Sequence, residues 1–328
     1  MRILLTVPSS VARLHHLVPL GWALRTAGHQ VQVAGRPSFT DSITLTGLVA
    51  VPVGDGVTGD ATGDHRLDRQ SDVDGLLDYF SLWRPDLVVW DEQAPAGAEA
   101  AQAGGVAAVR MLGPLADRSE SGDVSGRTLD CLPPSLRPSG VPEDLAIRFI
   151  PYAGSAVLPA WLRRKPRRRR VHVALGAASG TTVTAFFEAI AGSDAEFLCE
   201  LSDDRIPAGT RLPGNVRLFE DAPRDAVLAS CEAAVHDGEP RMTLSALAGG
   251  LPQLVVAENA ASADLASRVA DEGGGLLVDP AGLRADAVGR LLADAELRAN
   301  ARRLQGEVAA MPSPREVVPH LVAVAGQR

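Results

Sequence analysis

The first 35 residues constrain the fold most, because an apolar strand, a helix, a glycine and another apolar strand follow one another there. Residues 3–7 predict a strand, residues 17–27 a helix with Pro19 in its first turn, and residues 31–34 the next strand, with Gly28 ending the helix. Such a unit makes the two strands parallel, joined by a right-handed crossover. The chain is therefore expected to be an α/β protein.

The same alternation continues along the chain and restarts near residue 171. Further strands are predicted at residues 83–90, 106–111, 171–176, 196–201, 216–219, 233–236 and 254–257, with helices at 96–103, 181–191, 226–230 and 243–248. Residues 54–75 and 113–142, rich in Gly, Pro and Asp, are predicted to be loops. We expect a shortened N-terminal domain (1–162), a basic linker (163–170) and a C-terminal domain (171–328). Both are predicted to be Rossmann-like and to face a central cleft, with ligands at the carboxyl ends of the strands.

Composition excludes several classes of protein. The net charge of −8 does not favour nucleic acid or an anionic membrane as partner. The three scattered cysteines, Cys131, Cys199 and Cys231, have neither disulfide nor zinc spacing, and no signal peptide is evident, so we expect a cytoplasmic protein without a metal. Lys165 is the only lysine, which argues against a Walker loop or a Schiff-base enzyme.

The stretch VHDGEPRMTLSALAGGLPQ (235–253) is the best candidate for a ligand site. It ends a strand, turns through a polar loop and begins a helix. Unpaired amides and the positive end of the dipole collect at a helix N-terminus and favour phosphate. The polar loop therefore predicts a phosphate site.

With these elements in order, the chain resembles the GT-B glycosyltransferases that attach nucleotide-activated deoxysugars to antibiotics and other natural products. The resemblance covers nearly the whole chain, which is short for the family. It rests on LVPLGWALRTAGHQVQVAG (17–35), WRPDLVVWDEQAPAGAEAA (83–101), RFIPYAGSAVLPAWL (148–162), NVRLFEDAPRDAVLASCEAAVHDG (215–238), TLSALAGGLPQLVV (243–256) and SPREVVPHL (313–321). It implies a nucleotide diphosphate sugar as co-substrate and a natural-product acceptor.

The resemblance places the diphosphate on a His-His-Gly-Gly-x-Gly-Thr loop, which here is His236–Met242 followed by Thr243. His236 and Gly238 match that loop, while Asp237 replaces its second His. Glu239, Arg241 and Met242 replace two glycines and the threonine, so a carboxylate stands where a diphosphate should bind. Arg241 could hold a phosphate through its guanidinium or pair with Glu239, and the sequence leaves both open.

Two further parts of the implied donor site are altered or unremarkable. The acidic-Gln pair that holds the sugar hydroxyls corresponds to Ala261 and Ser262, with Glu258 and Asp264 as possible substitutes. The stretch LGAASG (175–180), which includes Gly176 and Ser179, matches the family's nucleotide-facing loop, and a tight turn into a helix explains it equally well.

The resemblance also implies a His base in the first loop and an Asp that orients it. The His position is occupied by Arg13, which cannot act as a base at neutral pH, and the Asp corresponds to Asp91. Arg13 could pair with Asp91, and His15 or His16 could supply a base if the loop is rearranged. Base catalysis contributes roughly 10²–10⁴ in rate.

Three hypotheses follow for this chain. It could be an active transferase, an enzyme repurposed for cyclisation, dehydration or rearrangement of an aglycone-like molecule, or a non-catalytic partner of another pathway enzyme. Altered donor and base positions favour the last two taken together. We expect a small-molecule natural-product ligand, no cofactor beyond a possible nucleotide sugar, and no nucleic acid or membrane partner. A homodimer remains open.

Overall fold

The computed structural model describes residues 1–54, 66–114, 127–138, 145–220 and 222–326. Within these ranges the chain forms two compact units. The first consists of Met1–Leu132, Arg137–Ser155 and Met311–Arg328, and the second of Pro133–Leu136 and Ala156–Ala310. Each unit is built around its own parallel sheet.

The described residues of the first unit include seven parallel strands in the order β3-β2-β1-β4-β5-β6-β7. Its elements up to residue 146 are β1 (Arg2–Thr6), α1 (Val11–Thr26), β2 (Gln30–Gly35), α2 (Thr40–Thr44), β3 (Val49–Pro52), α3 (Gln70–Trp83), β4 (Leu87–Asp91), α4 (Ala96–Ala103), β5 (Ala107–Met111), β6 (Arg127–Asp130) and β7 (Leu145–Ala146). Strand β1 lies between β2 and β4, and Thr6 pairs with Ala34 on one side and Trp90 on the other. The chain changes direction across the sheet there, which is where open parallel sheets bind ligands.

The second unit has the same organisation, with six parallel strands in the order β10-β9-β8-β11-β12-β13 among its described residues. Its elements are β8 (Arg170–Ala174), α5 (Gly180–Ile190), β9 (Glu196–Glu200), β10 (Val216–Phe219), α6 (Arg224–Leu228), β11 (Ala233–His236), α7 (Pro240–Ala248), β12 (Gln253–Val256), α8 (Ala260–Asp271), β13 (Gly275–Val278), α9 (Ala285–Ala293) and α10 (Ala295–Ala310). The buried ring of Phe186 on α5 packs against its neighbour Phe187 and against Phe197 on β9. This core fixes the carboxyl ends of β8 and β11 side by side.

The predicted α/β class and the alternation of strands and helices are confirmed, but several element boundaries were wrong. Helix α1 begins at Val11 rather than at residue 17, so Pro19 lies inside it and Arg13, His15 and His16 lie on a helix rather than in a loop. Helix α3 begins at Gln70, inside the predicted loop 54–75, of which residues 55–65 lie outside the described ranges. Strand β6 interrupts the predicted loop 113–142.

The division into units also differs from the predicted domain boundaries. The last helix, α11 (Pro314–Gly326), belongs to the first unit rather than to the C-terminal domain. It buries Val317, Val318 and Leu321, and the amide of Arg148 donates to the carbonyl oxygen of Pro312 just before it. The predicted linker 163–170 lies wholly in the second unit, and its last residue, Arg170, is the buried first residue of β8.

None of the helices in the described ranges is long and apolar enough to cross a bilayer.

Candidate functional site

At the carboxyl end of β4 the guanidinium of Arg13 lies between two carboxylates. Its Nη1 donates to Glu92 Oε1 at 2.6 Å and lies 3.6 Å from Asp91 Oδ2. A Cβ at position 113 would lie 2.0 Å from that Nη1, so Gly113 leaves the space that the guanidinium fills. The Arg13–Asp91 pair considered from the sequence therefore forms, although the shorter contact is to Glu92.

Asp91 is fully buried, which changes its acid–base behaviour. Burial raises the pKa of Asp91 to about 6, although Arg13 and the Gln93 amide, which donates to Oδ1 at 2.9 Å, both lower it. A carboxyl group in this range can bind and release a proton near neutral pH. The cluster of Arg13, Asp91 and Glu92 can therefore exchange a proton, while the two carboxylates already compensate the charge of Arg13.

The two histidines that follow Arg13 are held by different contacts. His16 is buried; its Nε2 lies 3.2 Å from the Leu112 carbonyl oxygen, and its ring stacks on Phe149. His15 is half-buried, with its ring edge-on to Tyr152 at 5.0 Å between centroids. Helix α1 thus places Arg13 against β4, His16 against the end of β5, and His15 beside Tyr152.

In the second unit, the N-terminus of α7 is occupied by a carboxylate of the chain itself. Glu239 Oε1 accepts from the Arg241 amide at 3.0 Å, and Oε2 accepts from the Met242 amide at 2.9 Å. Glu239 thereby caps the helix at the point where the resemblance places a diphosphate. Arg241 contacts Glu239 through its backbone amide, and the charge of Glu239 also acts on the Arg241 guanidinium. Met242 is buried, and the Thr243 hydroxyl donates back to the Glu239 carbonyl oxygen.

His236 is also turned inward. Its Nδ1 accepts from the Gly238 amide at 3.2 Å, so its Nε2 carries the proton and donates to Gln253 Oε1 at 2.8 Å. The side chain is fully buried, and burial lowers its pKa to about 4, so the ring is neutral at pH 7. Both ring nitrogens of His236 are engaged within the protein. Gly238 has a φ of +88°, and a Cβ there would lie 2.3 Å from the Ser262 carbonyl oxygen.

The neighbouring loop, from Gly176 to Ser179, is held by two more carboxylates. Asp237 Oδ2 accepts from the Ala177 amide at 2.7 Å. Glu258 accepts from the amide and hydroxyl of Ser179, at 2.9 and 2.6 Å, and from the Thr182 hydroxyl. These hydrogen bonds, first from Ser179 and then from Thr182, lower the pKa of Glu258. The N-terminus of α5 therefore also faces an internal carboxylate.

The third helix at this edge, α8, is capped in the same manner. Asn259 Oδ1 accepts from the Ser262 amide at 2.9 Å, and the Ser262 hydroxyl donates to the Asn259 carbonyl oxygen. Ser262, predicted to face the sugar, is thus used in a capping box.

A group that the sequence did not single out supports Glu239. Arg224, at the start of α6, binds Glu200 through Nε and Nη2, both at 2.9 Å, and its Nη1 lies 3.6 Å from Glu239 Oε2. Glu200 in turn lies 3.3 Å from Nε2 of the buried His172. Burial raises the pKa of Glu200, but His172 and Arg224 outweigh it and lower the pKa to about 2. From the sequence, only the succession of the predicted strands β8 and β9 indicates that His172, Glu200 and Arg224 could lie close together.

Glu92 and Glu258 were likewise not assigned these contacts, although one adjoins Asp91 and the other was noted as a nearby carboxylate. No group of His, Cys, Asp and Glu in the described ranges could hold a metal ion.

Two parallel Rossmann-like units of this kind define a GT-B glycosyltransferase fold, and solved structures of that class match over the full length. A spinosyn forosaminyltransferase matches with a TM-score of 0.88 and 32% identity, covering 100% of both chains. The glycosyltransferase VinC, solved in complex with dTDP, matches with a TM-score of 0.87 and 30% identity, again over 100% of both.

The family follows from the sequence comparisons. The C-terminal domain described as "Erythromycin biosynthesis protein CIII-like" matches residues 184–324, and its N-terminal counterpart matches residues 22–64 and 112–176. The tylactone mycaminosyltransferase of Streptomyces fradiae is 32% identical over 98% of this chain and 92% of its own length. The 10-deoxymethynolide desosaminyltransferase of Streptomyces venezuelae is 32% identical over 100% of this chain and 98% of its own. The chain belongs to this family of natural-product glycosyltransferases.

The relatives are longer than this chain. The alignment with the mycaminosyltransferase runs over 415 positions, whereas the chain has 328 residues. The N-terminal family model matches in two pieces, separated by residues 65–111.

Proposed function

We propose that this member of the family no longer transfers sugar from a nucleotide diphosphate and instead acts on an aglycone-like small molecule of natural-product biosynthesis. The observation that carries the proposal is the position of Glu239, whose carboxylate accepts the two α7 amides that would otherwise face a diphosphate. A ligand phosphate would have to displace that carboxylate or bind beside it.

A diphosphate would compete with Glu239 for the same backbone donors. A hydrogen bond to a charged group contributes roughly 1.5–3 kcal/mol. A diphosphate that displaces Glu239 exchanges these bonds for equivalent ones and gains little from the helix N-terminus. One that binds beside Glu239 meets like-charge repulsion. Arg224, whose Nη1 lies 3.6 Å from Glu239 Oε2, is already engaged twice by Glu200.

The neighbouring helix supports the same conclusion. Glu258 and Asp237 accept the amides of Ser179 and Ala177, so the loop before α5 presents carboxylates as well as amides. Anion binding at a helix N-terminus depends on unpaired amides. Internal side chains thus satisfy amides at α5, α7 and α8.

The first unit supports a different reaction. Arg13 cannot remove a proton from an acceptor hydroxyl, and its guanidinium is bound to Glu92 and Asp91. Asp91, with its pKa raised to about 6 by burial, can exchange a proton near neutral pH. An arginine beside such a group suits reactions that move protons within one molecule, such as cyclisation, dehydration or rearrangement.

The second candidate function is nucleotide-deoxysugar transfer to a polyketide-like acceptor. It is favoured by relatives about 30% identical over nearly the whole chain that are named as transferases of mycaminose and desosamine. It requires Glu239 to leave the α7 amides when the donor binds. A reaction that requires the nucleotide sugar would distinguish this second function from the first.

The activity test uses tylactone, the acceptor in the name of one relative, with and without a thymidine diphosphate sugar. The proposal is supported if the protein converts tylactone without a sugar donor. This conversion should be lost in Arg13→Met and kept in Arg25→Met, a control on the same helix. A product heavier by one sugar contradicts it. Saturable binding of tylactone without turnover would place the protein among auxiliary partners of another pathway enzyme.

A further inference from the structure

The residues from 163 to 169, here named the basic segment, carry six positive charges in seven positions. All seven are exposed, and Pro166 interrupts the run of Arg163, Arg164, Lys165, Arg167, Arg168 and Arg169. The net charge of −8 includes these six charges, so the rest of the chain is still more acidic. We expected no membrane partner because the net charge of the whole chain is negative. That net charge does not reveal the local concentration of positive charge in this segment.

Most side chains of the basic segment have no partner among the residues that the structure describes. Arg169 donates to the Leu292 carbonyl oxygen at 2.9 Å. The other five side chains form no ion pair or hydrogen bond with any residue of the described ranges. By contrast, Arg170, the next residue, binds Glu196 at 2.8 Å and lies over Trp161. Five charges close together in sequence therefore face solvent without internal compensation.

Exposed apolar side chains come just before the basic segment. Val157 is 83% exposed and Leu158 is 44% exposed. Aliphatic residues that stay in water beside a group of cations are typical of surfaces that bind anionic lipid, since the cations meet the headgroups while the apolar side chains enter the interface.

We propose that residues 157–169 form a peripheral binding surface for anionic phospholipid, with Val157 and Leu158 entering the interface and the basic segment on the headgroups. The surface leads into the amino end of β8. The candidate donor site lies at the opposite, carboxyl end of β8 and β11, so lipid binding leaves that edge of the sheet open. The proposal does not depend on which reaction the protein catalyses.

The observations favour lipid over nucleic acid. The acidic remainder of the chain repels an extended polyanion. Trp161, the aromatic residue that adjoins the segment in sequence, is partly buried and already contacts Phe219, Arg170 and Arg217, which leaves less of its ring to stack on a base. Exposed aliphatic residues add nothing to phosphate contacts in a groove.

The test is sedimentation with vesicles of phosphatidylcholine alone and of phosphatidylcholine mixed with phosphatidylglycerol. The full chain should bind only the mixed vesicles, and added salt should weaken binding. Each cation near an anionic surface contributes about 1 kcal/mol, so Arg164→Gln/Lys165→Gln/Arg167→Gln should lower partitioning about 100-fold. Val157→Ser/Leu158→Ser should lower it about tenfold.

The matched control is Arg211→Gln/Arg302→Gln/Arg315→Gln, which removes three exposed charges elsewhere and should leave binding nearly unchanged. Failure of the wild-type chain to bind mixed vesicles at low salt would overturn the proposal. So would an equal loss in the control, or tighter binding to duplex DNA with the same dependence on the basic segment.

Discussion

The carboxylate of Glu239 accepts the backbone amide of Met242 at 2.9 Å, and with its other oxygen it accepts the amide of Arg241 at 3.0 Å. One side chain thus holds two of the amides that begin α7. A phosphate group bound at a helix N-terminus would use the same donors. The loop where the resemblance places the diphosphate is therefore already occupied by a side chain of the protein.

Removing that carboxylate should create nucleotide diphosphate binding. In Glu239→Gly the α7 amides become free, and two hydrogen bonds to a charged ligand of roughly 1.5–3 kcal/mol each should raise the affinity for thymidine diphosphate at least about 100-fold. Calorimetric titration measures the change. Glu239→Asp, which keeps the charge, is the control and should bind no better than wild type. If both variants bind thymidine diphosphate equally weakly, the Glu239 carboxylate is not what prevents nucleotide binding.

Arg13 should set the proton affinity of Asp91. The guanidinium favours the ionised carboxylate, so Arg13→Met should raise the pKa of Asp91 above its value of about 6. Carbon-13 NMR titration of labelled aspartate carboxyl groups measures it, with Asp91→Asn identifying the signal. Arg25→Met, in the last turn of α1, should leave the titration unchanged. A fall of the Asp91 pKa in Arg13→Met would show that Arg13 does not stabilise the ionised carboxylate of Asp91.

His236 should make the protein sensitive to acid. Its pKa of about 4 in the folded state lies below the ordinary value of 6.5, so the unfolded chain binds the proton first as pH falls. The stabilisation is complete above pH 6.5 and is lost between pH 6.5 and 4, by about 3 kcal/mol. Urea unfolding at several pH values should show this fall in wild type and a shallower one in His236→Asn. If the free energies of unfolding of wild type and His236→Asn fall equally with pH, His236 is not the group responsible for the acid sensitivity.

Gly238 should not tolerate a side chain. Its φ of +88° is unfavourable for alanine, and the new Cβ would lie 2.3 Å from the Ser262 carbonyl oxygen. We expect Gly238→Ala to lower the free energy of unfolding by more than about 1 kcal/mol. Gly289→Ala, on an exposed turn of α9 with open space around it, should instead stabilise the protein by up to about 1 kcal/mol. Denaturant unfolding compares the two.

The strands were largely predictable because short apolar runs bounded by Gly, Pro or charge have few alternatives to burial in a parallel sheet. Residues 216–219 and 233–236 coincide with β10 and β11, and residues 96–103 with α4. The start of α1 was not predictable in the same manner. Pro19 is favoured in a first turn, yet here packing of the flanking turns keeps it inside the helix.

The sequence predicted which positions belong to the site, but not which contacts their side chains make. The sequence located Arg13, Asp91 and Glu239 and offered a pairing for each. It did not indicate that Glu239 would turn back onto its own helix, because that depends on the backbone angles of the loop. Nor could it show that Arg224, Glu200 and His172 form one chain of contacts, since they belong to separate elements joined only by the order of strands.

Calorimetric titration of the wild-type chain with thymidine diphosphate, the nucleotide held by the related glycosyltransferase VinC, shows whether Glu239 closes the diphosphate site. The account predicts no detectable binding at millimolar ligand, because Glu239, Glu258 and Asp237 already accept the amides that would hold the phosphates. Binding in the micromolar range would contradict it and restore nucleotide-sugar transfer as the function.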